Sequence, residues 1–190
     1  MSMKLIVLGL LMEGEKHPYE IQQLVKSRQM KFYIKMAPGS LYYAFDKLKE
    51  DGFIEVAEVV TDTNRPDKTI YRITHKGKRE FESILMKQLG QKEQISKPIF
   101  AALSFANYAN PEQVKERLLK RITDTEDFLE KIKFLYSVKR ESEDRAKLYI
   151  IIGVWMQLKT ELAWLQKIYK DAVDEKLHEI GMGELDEELW

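Results

Sequence analysis

Residues 37–54 read APGSLYYAFDKLKEDGFI. Within them Leu41, Phe45 and Leu48 recur at i, i+4 and i+7, the spacing that sets three side chains on one face of an α-helix. Pro38 suits the first helical position, where its missing N–H costs nothing, and Asp51-Gly52 closes the run with the residue that most easily turns left-handed. The beginning of this helix is small and hydroxylated, Ala37-Pro38-Gly39-Ser40, and Tyr42 and Tyr43 follow directly. Two adjacent tyrosines do not point the same way on a helix, so the stretch has a second face to explain.

Upstream, residues 3–12 are apolar nearly all round and predict a buried first helix. His17-Pro18-Tyr19-Glu20 opens a second helix with Pro18 at its first position, and Ile21, Leu24 and Val25 form its inward stripe. A linker around 29–36 joins it to the opening stretch. Downstream, IEVAEVV (54–60) and TIYRI (69–73) alternate with β-branched residues and predict two strands. Asp62-Thr63-Asn64-Arg65-Pro66-Asp67 between them is a cluster of turn formers, so a hairpin with an extended tip is expected. Thr74 caps a fourth helix to about Leu89. Three helices, a hairpin and a helix within 90 residues is the order of a winged helix-turn-helix.

Gly90-Gln91-Lys92 reads as a hinge, giving expected domains of 1–90 and 91–190. A short helix near 98–107 leads to two long ones. Asn110-Pro111-Glu112-Gln113 caps the first, where Leu118, Ile122, Leu129, Ile132 and Tyr136 keep a seven-residue pattern that Thr125 interrupts. Ser142 is the expected cap of the last helix. There Leu148, Trp155, Leu162 and Tyr169 hold one heptad position, and Ile151, Leu158, Leu165 and Ala172 the other. Ile150, Ile152, Val154, Met156 and Trp164 lie off both seams, and apolar surface on several faces predicts more than one packing partner, hence a homodimer. The fold class is therefore mostly α with a small β-hairpin wing: an N-terminal winged helix-turn-helix and a C-terminal helical dimerisation domain.

Composition narrows the function. No apolar run approaches the roughly 18 residues of a membrane span. The apolar start reads as a core helix rather than a signal segment, since no small-residue cleavage site follows. Zero cysteines fit a reducing cytoplasm and exclude thiolate metal sites and cysteine nucleophiles. His17, His75 and His178 lack metal-ligand spacing, no glycine-rich phosphate loop follows a strand, and the carboxylates sit on charged helical faces. Neither catalysis, a metal nor a cofactor is expected. The 190 residues carry no net charge, yet residues 1–90 hold 15 Lys and Arg against 12 Asp and Glu, and the rest 16 against 19. More pointedly, Ile21 to Phe45 contains no acid while Lys26, Arg28, Lys31 and Lys35 are basic. One sign of charge on a small domain suits an anionic partner.

Double-stranded DNA is that partner in this reading. The third helix would lie in the major groove with its N-terminal residues at base edges. Small residues let its backbone approach phosphates, and the free N–H groups of a helix start are anion donors. Ser40, Tyr42 and Tyr43 supply hydroxyls, with Tyr43 expected at bases and Tyr42 at the backbone. Lys47 lies one turn past Tyr43, Lys31 and Lys35 precede the helix, and Arg65 and Lys68 flank the wing tip.

LGLLMEGEKHPYEI, PGSLYYAFDKLKEDGFI and YRITHKGK together resemble the PadR-like transcriptional regulators over about residues 5–85. The second half is similar to that family's longer C-terminal domain through Pro98-Ile99-Phe100 and the long final helix. The resemblance implies a dimeric repressor or activator, and by position it places Tyr19, Ser40, Tyr42 and Lys47 near DNA. It also implies a small aromatic or lipophilic effector, which Phe100, Tyr149, Trp155, Met156 and Trp164 would surround. Two positions depart from the family pattern: Ala37 stands where serine is frequent, and Arg65-Pro66-Asp67 where the wing tip often has glycine. The expectation is a cytoplasmic, sequence-specific dimeric repressor on a pseudo-palindromic operator. The alternative is a protein-interaction adaptor that uses the winged helix without DNA.

Overall fold

α1 (Met3–Met12) is a nearly continuous apolar run, and Val7, Leu8, Leu10 and Leu11 are all buried within it. Around it pack α2 (Pro18–Ser27), α3 (Pro38–Glu50), the hairpin β1 (Ile54–Asp62) and β2 (Arg65–Ile73), and α4 (His75–Gly90). The computed structural model describes residues 3–32, 34, 38–62 and 65–182. The chain divides into two compact units, Met1–Glu93 and Gln94–Trp190.

In the first unit, α3 buries Leu41, Phe45 and Leu48 to 1, 1 and 2% exposure, the stripe its spacing predicts. At its end Gly52 adopts a positive φ of 73°, and the Phe53 N–H returns to the Leu48 carbonyl at 2.9 Å. β1 and β2 are antiparallel, pairing from Ile54↔Ile73 to Asp62↔Arg65. The strands thus run further than the turn-former cluster predicts, because the backbone of 65–67 joins the ladder instead of an extended tip. Thr63 and Asn64 lie outside the described residues. β2 has a second backbone partner: Lys16 and Tyr71 exchange both N–H···O bonds at 3.0 Å. The segment that enters α2 is therefore stitched to the wing.

A tight corner closes the unit. The Thr74 hydroxyl donates to the carbonyl oxygens of Gly52 (2.8 Å) and Phe53 (3.1 Å) and accepts from the Gly77 N–H at 3.0 Å, capping α4. Gly77 is buried there, and a Cβ on it would collide with the Phe53 carbonyl and stand 2.8 Å from Ile73 Cγ1. Only glycine fits. Gly77→Ala is expected to cost about 2–3 kcal/mol by overpacking, measured as a lower urea midpoint with an unchanged m-value.

The second unit contains α5 (Pro98–Ser104), a 3₁₀ turn (Ala106–Tyr108), α6 (Pro111–Lys139) and α7 (Arg145–Val173). The Asn110 side chain caps α6, accepting from the N–H groups of Glu112 and Gln113 at 3.0 and 3.2 Å. Leu118, Ile122, Thr125, Leu129 and Ile132 form its buried stripe. Thr125 continues that stripe rather than interrupting it, because its hydroxyl is satisfied by the Arg121 carbonyl one turn back at 2.7 Å. On α7, Ile151, Leu165 and Ala172 are buried and Leu158 half-buried, while Leu148, Trp155, Leu162 and Tyr169 are only half-buried. The cap of α7 is Asp144, which accepts from the Lys147 N–H at 3.2 Å, and not Ser142, which lies in the preceding turn. The Asp144 carboxylate also pairs with Lys147 Nζ at 2.8 Å, which a serine hydroxyl cannot do. Among the described residues no helix is long and apolar enough to cross a membrane.

Candidate nucleic-acid interface

α2 begins with a reciprocal cap that the pattern His17-Pro18-Tyr19-Glu20 encodes. The His17 Nδ1 accepts from the Tyr19 N–H at 3.1 Å, and Glu20 Oε2 accepts from the His17 N–H at 3.0 Å. The second oxygen of Glu20 accepts from Lys68 Nζ of β2 at 2.7 Å. One carboxylate thus holds both the start of α2 and the wing strand. Hydrogen bonds from Lys68 and from the His17 backbone keep the Glu20 carboxyl below its usual value.

Between α2 and α3 the chain turns through Gln29, at φ 57°, and a 3₁₀ turn (Met30–Phe32). Arg28 grips Glu13 with two parallel hydrogen bonds of 2.6 and 2.7 Å, which ties this turn to the loop after α1. Two of the cations that read as outward surface in the sequence, Arg28 and Lys68, are thus engaged by Glu13 and Glu20 within the unit.

α3 presents its remaining faces outward. Tyr43 is 71% exposed and Tyr42 50%, and Tyr19 of α2 is also exposed. Ser40 is half-buried. Lys47 is exposed and reaches Glu50 at 2.9 Å and Asp51 at 3.6 Å; the hydrogen bond to Glu50 raises its ammonium above the ordinary lysine value. Such exposed pairs are weak and exchange readily with another anion. Gly39 is exposed, and a Cβ there would meet nothing within 4 Å. Nothing among the described residues therefore requires glycine at the second position of α3. Lys35 lies outside the described residues, as do the side chains of Lys31 and Arg65.

The five aromatic and apolar residues expected around an effector are not gathered in one place. Phe100 and Trp164 meet edge to face with centroids 5.7 Å apart. Trp155 lines a separate cavity of about 360 Å³ with Ile132, Tyr136 and Ile151. Tyr149 and Met156 are exposed. Among the described residues no group of His, Cys, Asp and Glu is arranged to hold a metal ion.

A buried three-helix unit with a twisted hairpin and an exposed helix start is a winged helix-turn-helix. The chain matches the family described as "Transcriptional regulator PadR-like family" over residues 7–83. Its fold is similar to that of Bacillus subtilis PadR in complex with operator DNA, at TM-score 0.75 and 18% identity over 89% of this chain and 96% of that one. The same protein in complex with p-coumaric acid gives TM-score 0.72 and 18% identity over 90% and 98%. The smu.1604c protein from Streptococcus mutans UA159 gives 0.70 and 26% over 90% and 99%. No curated protein matches the chain in sequence.

The cap of α2 makes the site sensitive to acid. Burial, then the charge of Lys68, depresses the His17 pKa below 6.5, against an opposing pull from Glu20. The unfolded chain accordingly binds the proton more readily, so the stabilisation is complete above the unfolded value of 6.5 and is lost as pH falls through the lower folded one. Protonation also removes the lone pair that accepts from Tyr19. The melting temperature should fall between about pH 7 and pH 5, and His17→Asn, which keeps an acceptor but does not titrate, should flatten that slope.

Proposed function

We propose that this regulator acts as a cytoplasmic dimer that binds a pseudo-palindromic DNA operator through α3 and represses transcription until a small molecule or a change in dimer geometry releases it. The observation that carries the reading is the start of α3. Its inner face is committed to the core, while Gly39, Tyr42 and Tyr43 stand open to an outside partner. A glycine with no steric cause among the described residues has one if a phosphate backbone must come close to the helix start, where the first N–H groups of a helix have no intrahelical partner. The operator-bound state of B. subtilis PadR supports the same reading.

Tyr43 and Lys47 then face base edges and phosphate, Tyr42, Ser40 and Tyr19 the sugar-phosphate backbone, and Lys31, Lys35, Arg65 and Lys68 the flanking phosphates. Lys68 would do so while tethered by Glu20, which fixes the wing's position rather than letting the ammonium search. Exposed Phe134 and Val138 of α6, with Tyr149 of α7, leave an apolar surface at the turn end of the α6–α7 hairpin, and Met156 is exposed further along α7. A second copy covering it gives the dimer. The p-coumaric acid complex of B. subtilis PadR supports control by a small aromatic acid.

Gly39→Ala separates this reading from an adaptor without DNA. In the first turn of a helix alanine is tolerated or mildly stabilising, so the melting temperature should hold or rise. Affinity for DNA from the protein's own upstream region should nevertheless drop roughly tenfold or more, the loss from a misplaced phosphate contact of about 1.4 kcal/mol. Tyr43→Ala and Lys47→Ala should likewise weaken binding, and Lys47→Ala should flatten its salt dependence by about one phosphate contact. Unchanged DNA affinity in all three variants would favour the adaptor.

A further inference from the structure

The second unit contains a groove of about 590 Å³ between α5 and the first half of α6. Its floor is apolar: Ile99, Ala102 and Leu103 on one side, Val114 and Leu118 on the other. Ile99 and Leu118 also belong to the buried cluster with Ile122 and Leu165, so the floor is rigid. The wall carries Arg117 and Arg121, four residues apart and hence on one face of α6.

The two guanidinium groups differ. Arg121 donates to Glu161 at 2.6 Å, and Lys97 donates to the same carboxylate at 2.9 Å. Burial opposes the charge on Glu161, but these two hydrogen bonds outweigh it and hold the carboxyl below its ordinary value. Glu161 is therefore fully committed to two cations. Arg117 has no ion-pair or hydrogen-bond partner among the described residues. An unpaired guanidinium at the rim of an apolar trough is complementary to a ligand with an apolar body and one carboxylate, which the planar fork can bind with two parallel hydrogen bonds.

We propose that the α5–α6 groove binds a lipophilic monocarboxylate, its hydrocarbon or aromatic body on Ile99, Leu103 and Leu118 and its carboxylate on Arg117. The inference rests on the small-molecule control proposed above and gives it a place away from the apolar surface at the turn end of the hairpin. Aliphatic and aromatic acids share the chemistry, so both serve as probes.

The test is calorimetric titration of the full chain with octanoate, with cinnamate and with the uncharged octanamide. At least one acid should bind one per chain, and octanamide roughly tenfold or more weaker than octanoate, since it lacks the charge. Arg117→Gln should lose the acid's advantage, and Ala102→Trp, which fills the trough from an exposed position, should abolish binding with the melting temperature unchanged. Absence of binding by both acids, equal binding of octanoate and octanamide, or wild-type affinity in Arg117→Gln would overturn the site. DNA release measured on the same variants tells the two readings apart. Release by a small acid that Arg117→Gln leaves intact removes the groove but keeps small-molecule control, whereas binding without any release keeps the groove and removes the control.

Discussion

Burial of Leu41, Phe45 and Leu48 fixes the rotation of α3 about its axis, and the functional surface follows from that. Once these three face the core of α1 and α2, Tyr42, Tyr43 and Lys47 have to face away from it. Burying two leucines and a phenylalanine contributes on the order of 2 kcal/mol each, far more than any exposed hydroxyl or ion pair on the other side contributes. The outer face is thereby left open to solvent.

The wing depends on the same core through a few polar links. Phe45 packs on Tyr71 of β2 with ring centroids 5.0 Å apart, Lys16 pairs with Tyr71 along the backbone, and Glu20 joins the α2 cap to Lys68. At the other end of the hairpin the Thr74 hydroxyl and Gly77 lock the base of β2 to the end of α3. α2, α3 and the wing therefore form one rigid body. A rigid body of this kind presents helix and wing to a duplex in one fixed register, which lowers the ordering cost of binding.

The local elements were legible where a short-range rule decides them. The i, i+4, i+7 stripe of α3, the proline at the start of α2 and the threonine cap of α4 each depend on residues within one or two turns. What escaped were relations between distant residues. Gly77 is required by the Phe53 carbonyl 24 positions earlier, a collision that only the folded corner creates. The pairing of Arg28 with Glu13 and of Lys68 with Glu20 joins residues 15 and 48 positions apart, which no local pattern announces. The His17–Glu20 cap could have been read from a glutamate three residues after a side-chain acceptor, since that spacing is the capping-box signal even with histidine in place of serine. Of the expected site, the exposure of Tyr42, Tyr43 and Lys47 followed from the α3 stripe. The five residues expected around an effector are not gathered in one place, because Tyr149, Trp155, Met156 and Trp164 are spread over about four turns of α7, and Phe100 meets Trp164 away from Trp155.

The central claim is that two α3 helices, related by a two-fold axis and held by the helical units, read DNA sequence. Selection of bound duplexes from a random pool by the full-length protein tests it most directly. The expected result is enrichment of an inverted repeat whose half-sites lie about one helical turn, or a whole multiple of it, apart. Enrichment of no sequence, or of a single unrepeated half-site bound by a monomer, would contradict it.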